Sequence, residues 1–444
     1  MTRRDLLAKS GGGFGLTALA SIMQGAATGP LAARLLGPDG RGALAAIQLW
    51  PGAIATVAML GLPESVAYFG ARQPARAGEW LWTSVLVGLA AACVATAVGY
   101  VLIDVGLRGH DPHIIHAAHV YLLLILLTPI IGLPCQLARG LGRFGVWNAM
   151  RVAPALGWLT VLAFTWLGGS RAAETVATGY LWFLIVEAAV IVAACVKLFA
   201  PPKAFSLRDA STLLRYGLPS GLSAVPQFLN LRVDQILIAA MLPTRQLGLY
   251  VAAVSWSAIS GVVLNAAAPV ISRRLAVEQD VAVARSIFGR ATRAAVIVSA
   301  LTAGAFAVVT PSAMALVYGA AFREAIPIAV VLSAANAFVM INTVLEEGLR
   351  GLGDTPTILK CELVGFAATA IALALLLRPM GIMGAAVASV AGYSAVTTAL
   401  GVSLRRHDLT FDAAFRPRGA DVRYVIDVAA ASWDQVRRLA APAV

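Results

Sequence analysis

About twelve runs of roughly 20 apolar residues follow one another along this chain of 444 residues. A run of that length crosses a bilayer as an α-helix, and in lipid only helices and closed barrels satisfy the backbone hydrogen bonds. Charged residues make up only 13% of the sequence, against about 25% in soluble domains. The sequence therefore predicts an all-α integral membrane protein. The expected spans are 10–31, 43–69, 80–104, 117–138, 146–167, 175–199, 215–242, 247–271, 291–312, 325–349, 358–378 and 382–404.

The net charge of +12 follows the expected membrane topology. With the N-terminus in the cytoplasm, 26 of the 34 lysines and arginines fall in cytoplasmic segments. External loops hold 7, including Arg41, and Arg232 alone lies deep within a span, away from its ends. This asymmetry obeys the positive-inside rule and predicts that both termini are cytoplasmic. The basic balance is thus explained by topology, and no nucleic-acid partner is expected.

An internal repeat divides the twelve spans into two sets of six. A shift of 206 residues superposes Gly11 on Gly217, Gly15 on Gly221, Gly42 on Gly248, Trp50 on Trp256 and Pro63 on Pro269. Six is an even number, so the two repeats have the same orientation, which predicts two parallel six-helix lobes around a central cavity. The expected divisions are an N-terminal lobe 1–205, a C-terminal lobe 206–405 and a basic cytoplasmic tail 406–444, whose segment 421–439 has the spacing of an amphipathic helix.

The seventh span carries two charges two positions apart, Arg232 and Asp234. At 100° per residue Asp234 joins one narrow polar stripe, whereas Arg232 falls nearly opposite it. Subtracting 206 gives a matching polar stripe in the first span. We expect the two stripes to face each other and line a substrate path; the alternative is hydrogen bonding between helices within each lobe. The predicted path residues are Thr17, Ser21, Gln24, Thr28, Ser223, Gln227, Asn230 and Asp234.

Glu187 is a third charge at membrane depth, near the middle of the sixth span. A carboxyl group there is either protonated or paired, and Arg232 lies at a similar depth. The pair could lock helices together or take part in ion coupling. Asp234 is the main candidate for coupling to a proton or sodium ion.

Motifs of enzymes, metal sites and cofactor sites are missing from the sequence. The four cysteines form no Cys-x-x-Cys pair, and the histidines between 110 and 119 diverge around a helix, so they make half a metal site at best. No serine elbow, Walker loop or His-x-x-Glu-His occurs. We therefore expect no enzymatic activity, no metal and no cofactor.

The stretch 33–72 resembles the opening of bacterial polysaccharide exporters, the oligosaccharide flippases of O-antigen and exopolysaccharide pathways. It contains ArgLeuLeuGly-Pro-x-Gly-x-Gly after the first span and Gly-x-Pro late in the second, and in 233–256 an Asp-Gln pair precedes Gly-x-Tyr. The resemblance covers nearly all of the twelve spans. It places the chain in the multidrug/oligosaccharidyl-lipid/polysaccharide exporter superfamily.

That resemblance implies an alternating-access flippase for an undecaprenyl-diphosphate-linked oligosaccharide, serving lipopolysaccharide or exopolysaccharide synthesis. Expected partners are the lipid-linked oligosaccharide, membrane lipids, a proton or sodium counter-ion, and a polymerase or glycosyltransferases. The cavity in this family is typically cationic. Here Arg232 alone lies at depth and off the stripe, so the sequence does not predict an arginine cradle in the cavity.

Two other functions stay open at this stage. A small-molecule or cation exporter of the same superfamily predicts drug susceptibility on deletion and normal polysaccharide. A non-transporting scaffold of a polysaccharide assembly complex predicts that removal of the tail abolishes function, whereas changes in the polar stripes are silent.

Overall fold

The computed structural model describes residues 28–199, 206–261, 264, 268, 271, 272, 274, 275, 278–423 and 425. Within these residues every regular element is helical. The predicted all-α membrane fold is therefore confirmed. The α-helices of the described residues are α1 Thr28–Ala58, α2 Leu62–Arg72, α3 Ala77–Gly106, α4 Pro112–Tyr121, α5 Leu123–Gly140, α6 Phe144–Leu167, α7 Ala173–Leu198, α8 Leu207–Asn230, α9 Val233–Met241, α10 Thr244–Ala258, α11 Val281–Tyr318, α12 Ile326–Gly351, α13 Thr355–Ser403 and α14 Phe411–Phe415.

These helices follow the predicted apolar runs from the second to the twelfth. In the described part of the chain, seven helices are long and apolar enough to cross a membrane, or eight if α1 and α2, bent by 43°, count as one span. Helix α13 has 49 residues and is interrupted at Gly381, which adopts φ 56° and ψ −138°. An unbroken helix of that length would be about 74 Å long, more than twice the hydrocarbon thickness. The break accordingly divides α13 into the two last predicted spans.

Two other breaks shape the site described below. Gly37 has φ 69° and ψ −178° inside α1, so the chain turns there before Pro38 and resumes as a helix. The seventh predicted span is also divided, because α8 ends at Asn230 and α9 begins at Val233. Between them Arg232 has φ −132° and ψ −17°, outside the helical region.

The described residues form two compact units, one of residues up to Trp256 with Ala313–Ile328, the other of Ser257–Ser312 with Ala329 onward. Helices α8 to α10 thus pack with the helices that precede them. The lobes 1–205 and 206–405 and the tail 406–444 stay predictions. Of the tail's proposed amphipathic segment, all but its first few residues lie outside the described part.

Close backbone contacts hold the first unit together at glycines. A Cβ on Gly42 would overlap the carbonyl of Thr244, and a Cβ on Gly248 would overlap that of Pro38. Gly217 and Gly221, the GxxxG pair of α8, pack in the same way against Gly61. Small residues allow helices in a membrane to approach this closely. The Gly217 and Gly221 pair therefore packs α8 closely against the chain at Gly61.

The second unit is held by an apolar core and by buried polar contacts. Phe288, Leu345 and Leu400 belong to the core cluster. Asn342 on α12 donates to the Tyr393 carbonyl at 3.1 Å and accepts from the Thr397 hydroxyl at 2.6 Å. Each of these buried groups has a partner, as burial of polar atoms requires.

Candidate functional site

A cavity of about 290 Å³ lies within the first unit, between α1 on one side and α8, α9 and α10 on the other. Its described lining includes two arginines and two glutamines but no acidic residue. The lining residues are Arg41, Ala45, Gln48, Leu49, Gly52, Ala53, Thr56, Phe228, Arg232, Gln235 and Val251. The cavity is therefore a cationic chamber walled by small and apolar side chains.

One wall is a single face of α1. Arg41 and Gln48 are seven residues apart, which is nearly two full turns, so their side chains lie one above the other. Gly52 continues the same face and leaves room for the cavity. The Arg41 side chain is half-buried, and its Nε is buried without a hydrogen-bond partner. A buried donor with no partner is costly, and since Arg41 lines the cavity, a ligand bound there can satisfy it.

The opposite wall depends on the break between α8 and α9. Arg232 precedes α9 and reaches into the cavity, where its Nη1 donates to Gln235 Oε1 at 3.3 Å. Gln48, on the α1 side, donates through Nε2 to the Tyr121 hydroxyl at 3.1 Å. These contacts orient the side-chain amides of Gln48 and Gln235. Most N–H donors of the Arg41 and Arg232 guanidinium groups have no hydrogen-bond partner among the described residues. Arginine offers five donors in a planar fork that matches phosphate oxygens, so the chamber can hold an anion such as a phosphate.

The structure places Arg232 in the cavity lining and the described residues of the polar stripe outside it. The two charges of this span thus face apart, as in the sequence prediction, although the helix is interrupted at Arg232. The suspected pair with Glu187 is not formed, since Arg232 contacts Gln235 and both carboxylate oxygens of Glu187 are buried without a hydrogen-bond partner. Arg232 belongs to the cavity.

Asp234 forms a hydrogen bond between two helices, which is the alternative that its polar stripe left open. Its side chain is buried, and Oδ2 accepts from the Tyr250 hydroxyl at 2.5 Å, while Oδ1 accepts from the backbone N–H of Gln235 at 2.6 Å. It does not line the chamber. The carboxylate connects α9 to α10 behind the cavity wall. Its predicted coupling role stays a prediction.

The other stripe residues that the structure describes are also outside the chamber lining. Thr28 and Asn230 are buried and Gln227 is half-buried. Thr17, Ser21, Gln24 and the side chain of Ser223 lie outside the described residues. The shared stripe of the first and seventh spans therefore stays a prediction.

Sequence reasoning missed Arg41, Gln48 and Gln235. Arg41 was assigned to an external loop because it follows Gly37, Pro38 and Gly40, although the chain becomes helical again directly after Gly37. The seven-residue spacing between Arg41 and Gln48 in an otherwise apolar run was the available signal. It predicts one polar face on the second span.

Comparison with solved structures shows that the fold is that of membrane transporters. An inward-facing multidrug resistance MATE family transporter of the MOP superfamily matches with a TM-score of 0.72 at 15% identity, over 87% of this chain and 94% of that one. The lipid II flippase MurJ in an inward closed conformation matches with a TM-score of 0.74 at 13% identity, over 88% and 87%. A Vibrio cholerae MATE transporter matches at 0.60 and 14%, over 88% and 94%.

The sequence itself identifies the family. Residues 11–275 match the family described as polysaccharide biosynthesis protein. The chain belongs to this polysaccharide biosynthesis family, which confirms the resemblance seen in its motifs. Among curated proteins, none matches it significantly. The protein is thus a multi-pass membrane protein of a transporter family.

Proposed function

We propose that this protein is an alternating-access flippase that moves an undecaprenyl-diphosphate-linked oligosaccharide across the cytoplasmic membrane for surface polysaccharide synthesis. Family membership and a transporter fold support this proposal. The observation that carries it is the acid-free chamber with Arg41 and Arg232 on opposite walls.

The chemistry of the chamber suits the diphosphate part of such a substrate. Two guanidinium groups in a site of low dielectric attract phosphate oxygens strongly, and each can donate two parallel hydrogen bonds. The amides of Gln48 and Gln235 can donate to remaining phosphate or sugar oxygens. A volume of about 290 Å³ is small for a ligand pocket. In this proposal it holds the diphosphate, while the lipid tail stays in the bilayer.

Transport then requires two states that bind substrate differently. We place the protein in the bacterial inner membrane with both termini in the cytoplasm, following the distribution of lysine and arginine. Polymerase and glycosyltransferases of the pathway are the proposed protein partners. Asp234 is the proposed site of proton or sodium coupling, and full surface polysaccharide with Asp234→Asn would refute that role.

The deciding experiment is complementation of a deletion strain, read as surface polysaccharide and as lipid-linked oligosaccharide accumulating in the inner leaflet. We expect Arg41→Gln and Arg232→Gln each to lower surface polysaccharide at least about tenfold, since each removes a strong charge-assisted contact to the substrate. The control is Arg171→Gln, an exposed arginine outside the chamber. Normal polysaccharide in both chamber variants, at wild-type protein levels, would reject the proposed site.

The same strains separate the two other functions. A drug exporter predicts drug susceptibility and normal polysaccharide on deletion, whereas a cationic chamber repels cationic drugs. A scaffold predicts loss of function when residues 419–444 are removed and full function in Arg41→Gln and Arg232→Gln.

A further inference from the structure

A second cavity lies in the other unit, along the two halves of α13. Its volume is about 690 Å³. The two halves are joined at the Gly381 break and touch where Gly392 meets Thr369. We call this cavity the α13 groove; its lining is Thr357, Lys360, Cys361, Val364, Ala391, Ser394, Ala395, Thr398, Ala399, Val402, Ser403 and Arg406.

The wall of the α13 groove is apolar and faces outward from the unit. Ala391, Ala395 and Ala399 lie four residues apart on one helix face, so the groove is walled by methyl groups. The nearby hydroxyls of Ser394 and Thr398 donate to carbonyls of their own helix at 3.0 and 2.8 Å. They are therefore occupied and do not make the wall polar.

The open end of the α13 groove is cationic. Lys360 and Arg406 are both exposed, and neither forms an ion pair within the described residues. Arg406 donates through Nη1 to the Thr357 hydroxyl at 3.3 Å and keeps its other donors. The nearby carboxylate of Asp354 accepts from the Thr357 hydroxyl at 2.9 Å and lies 3.0 Å from His407 Nε2. Within the described residues the partners of this acid are Thr357 and His407, and it forms no ion pair with Lys360 or Arg406.

We propose that the α13 groove binds one anionic glycerophospholipid. Its phosphate contacts Lys360 and Arg406 at the end of the span, and one acyl chain lies along the alanine wall. From Arg406 to Ala391 the helix rises about 22 Å, enough for an acyl chain in a leaflet about 15 Å deep. Basic residues at a helix end and an apolar groove along the span together complement both parts of such a lipid.

Native mass spectrometry of the full-length protein in detergent tests this proposal directly. The protein is titrated with phosphatidylglycerol or with phosphatidylcholine of the same acyl chains, and retained lipid is counted. We expect wild type to bind one phosphatidylglycerol about tenfold more tightly than phosphatidylcholine, because each of two cations contributes several-fold. The variant Lys360→Gln with Arg406→Gln should lose this preference.

Matched controls distinguish binding in the α13 groove from nonspecific attraction of an anionic lipid to positive charge. Lys197→Gln with Arg405→Gln removes the same charge at exposed positions outside the α13 groove and should keep the preference. Ala399→Phe should fill the groove and lower binding of both lipids, whereas Val308→Phe, at an exposed position elsewhere, should not. Melting temperatures identify any variant that is not folded.

Three results would overturn the proposal. The first is equal phosphatidylglycerol binding in wild type and the groove charge variant. The second is equal loss in the charge control, which would indicate nonspecific attraction. The third is displacement of phosphatidylglycerol by undecaprenyl phosphate at a lower concentration, which would make the carrier lipid the occupant. None of these results bears on the chamber around Arg41 and Arg232.

Discussion

Arg41 in the first unit and Arg293 in the second are both arginines on long helices, but their surroundings differ. Arg293 Nε and Nη2 reach the two oxygens of Asp421 at 2.6 and 3.3 Å, and Nη1 donates to the Ala413 carbonyl at 2.6 Å. Both side chains of this pair are buried. Arg41 faces a cavity, and its buried Nε has no partner.

The difference separates a structural arginine from a ligand-binding one. A buried guanidinium that stabilises a fold needs a counter-charge and acceptors for its donors, because burial without them is costly. Arg293 meets this requirement and anchors the start of the tail, residues 411–421, to α11. Arg41 does not meet it with protein atoms alone. Its unused donors are consistent with an anionic ligand that completes the site.

The largest expected loss of stability is at Arg293, the arginine that is paired with a buried acid. Arg293→Gln leaves Asp421 buried without its counter-charge and should lower the free energy of unfolding by about 3 kcal/mol. Thermal unfolding of the full-length protein in detergent measures the loss. Arg285→Gln is the control on the same helix, since its pair with Asp408 is exposed and should contribute under about 1 kcal/mol. Equal losses in both variants would contradict this assignment.

The same pair predicts an acid sensitivity. Burial alone would raise the pKa of Asp421, but hydrogen bonds from Arg293 and the Arg418 backbone outweigh it and lower the pKa below its usual value. A lowered folded-state pKa means that the stabilisation is complete above about pH 4 and is lost as pH falls through the folded pKa. The melting temperature should therefore drop below about pH 4 in wild type. Asp421→Asn should flatten that drop, whereas Asp412→Asn, an exposed carboxylate, should leave it unchanged.

A smaller loss of stability is expected at the buried hydrogen bond between Tyr250 and Asp234, which contains no cation. Tyr250→Phe removes the hydroxyl that donates to Asp234 and should cost about 1–2 kcal/mol of stability. Tyr318→Phe is the matched control, because the Tyr318 hydroxyl is buried without a hydrogen-bond partner. Its removal should cost little. The reverse order of the two melting temperatures would count against the Asp234 contact.

The smallest change in stability is expected at the cavity. Arg41→Met removes a buried donor that has no protein partner, so the free energy of unfolding should change by less than about 0.5 kcal/mol or rise slightly. Surface polysaccharide should nevertheless be lost. A stability loss as large as that of Arg293→Gln would show that Arg41 is structural, and the contrast between the two arginines would fail.

The membrane-spanning helices were predictable because their signal is strong and local. A run of about 20 apolar residues has few other stable states in a chain of this composition. The last two spans were separated at Gly381 by composition alone, although the backbone there continues from one helix directly into the next. The ends of the described helices lie within a few residues of most of the predicted runs.

The orientation of side chains was less predictable. Helical phase is reliable only while the helix is continuous, and α8 ends just before Arg232. No glycine or proline marks that break in LNLRVDQ. Arg232 was set aside because it lies off the polar stripe, yet it lines the chamber, and Glu187, the partner proposed for it, has no hydrogen bond. Which face of a span meets a cavity depends on tertiary packing, and helical phase alone does not give it.

Arg41 was missed for a related reason. Glycine and proline around it indicate a loop, and Gly37 does turn the chain, but only one residue is needed for the turn. The predicted family resemblance implied a cationic cavity, yet the sequence offered only one arginine at depth. The second arginine became visible only when α1 and α9 were brought together in space.

The crossing of α1 and α10 at Gly42 and Gly248 has a consequence for how this sequence can change. The 206-residue shift relates these two glycines to each other, and they are also neighbours in space. Copies of a duplicated segment normally diverge independently, since a change in one leaves the other untouched. Here a side chain added to either copy would strike the backbone of the other. The two copies of this position are therefore under one shared constraint.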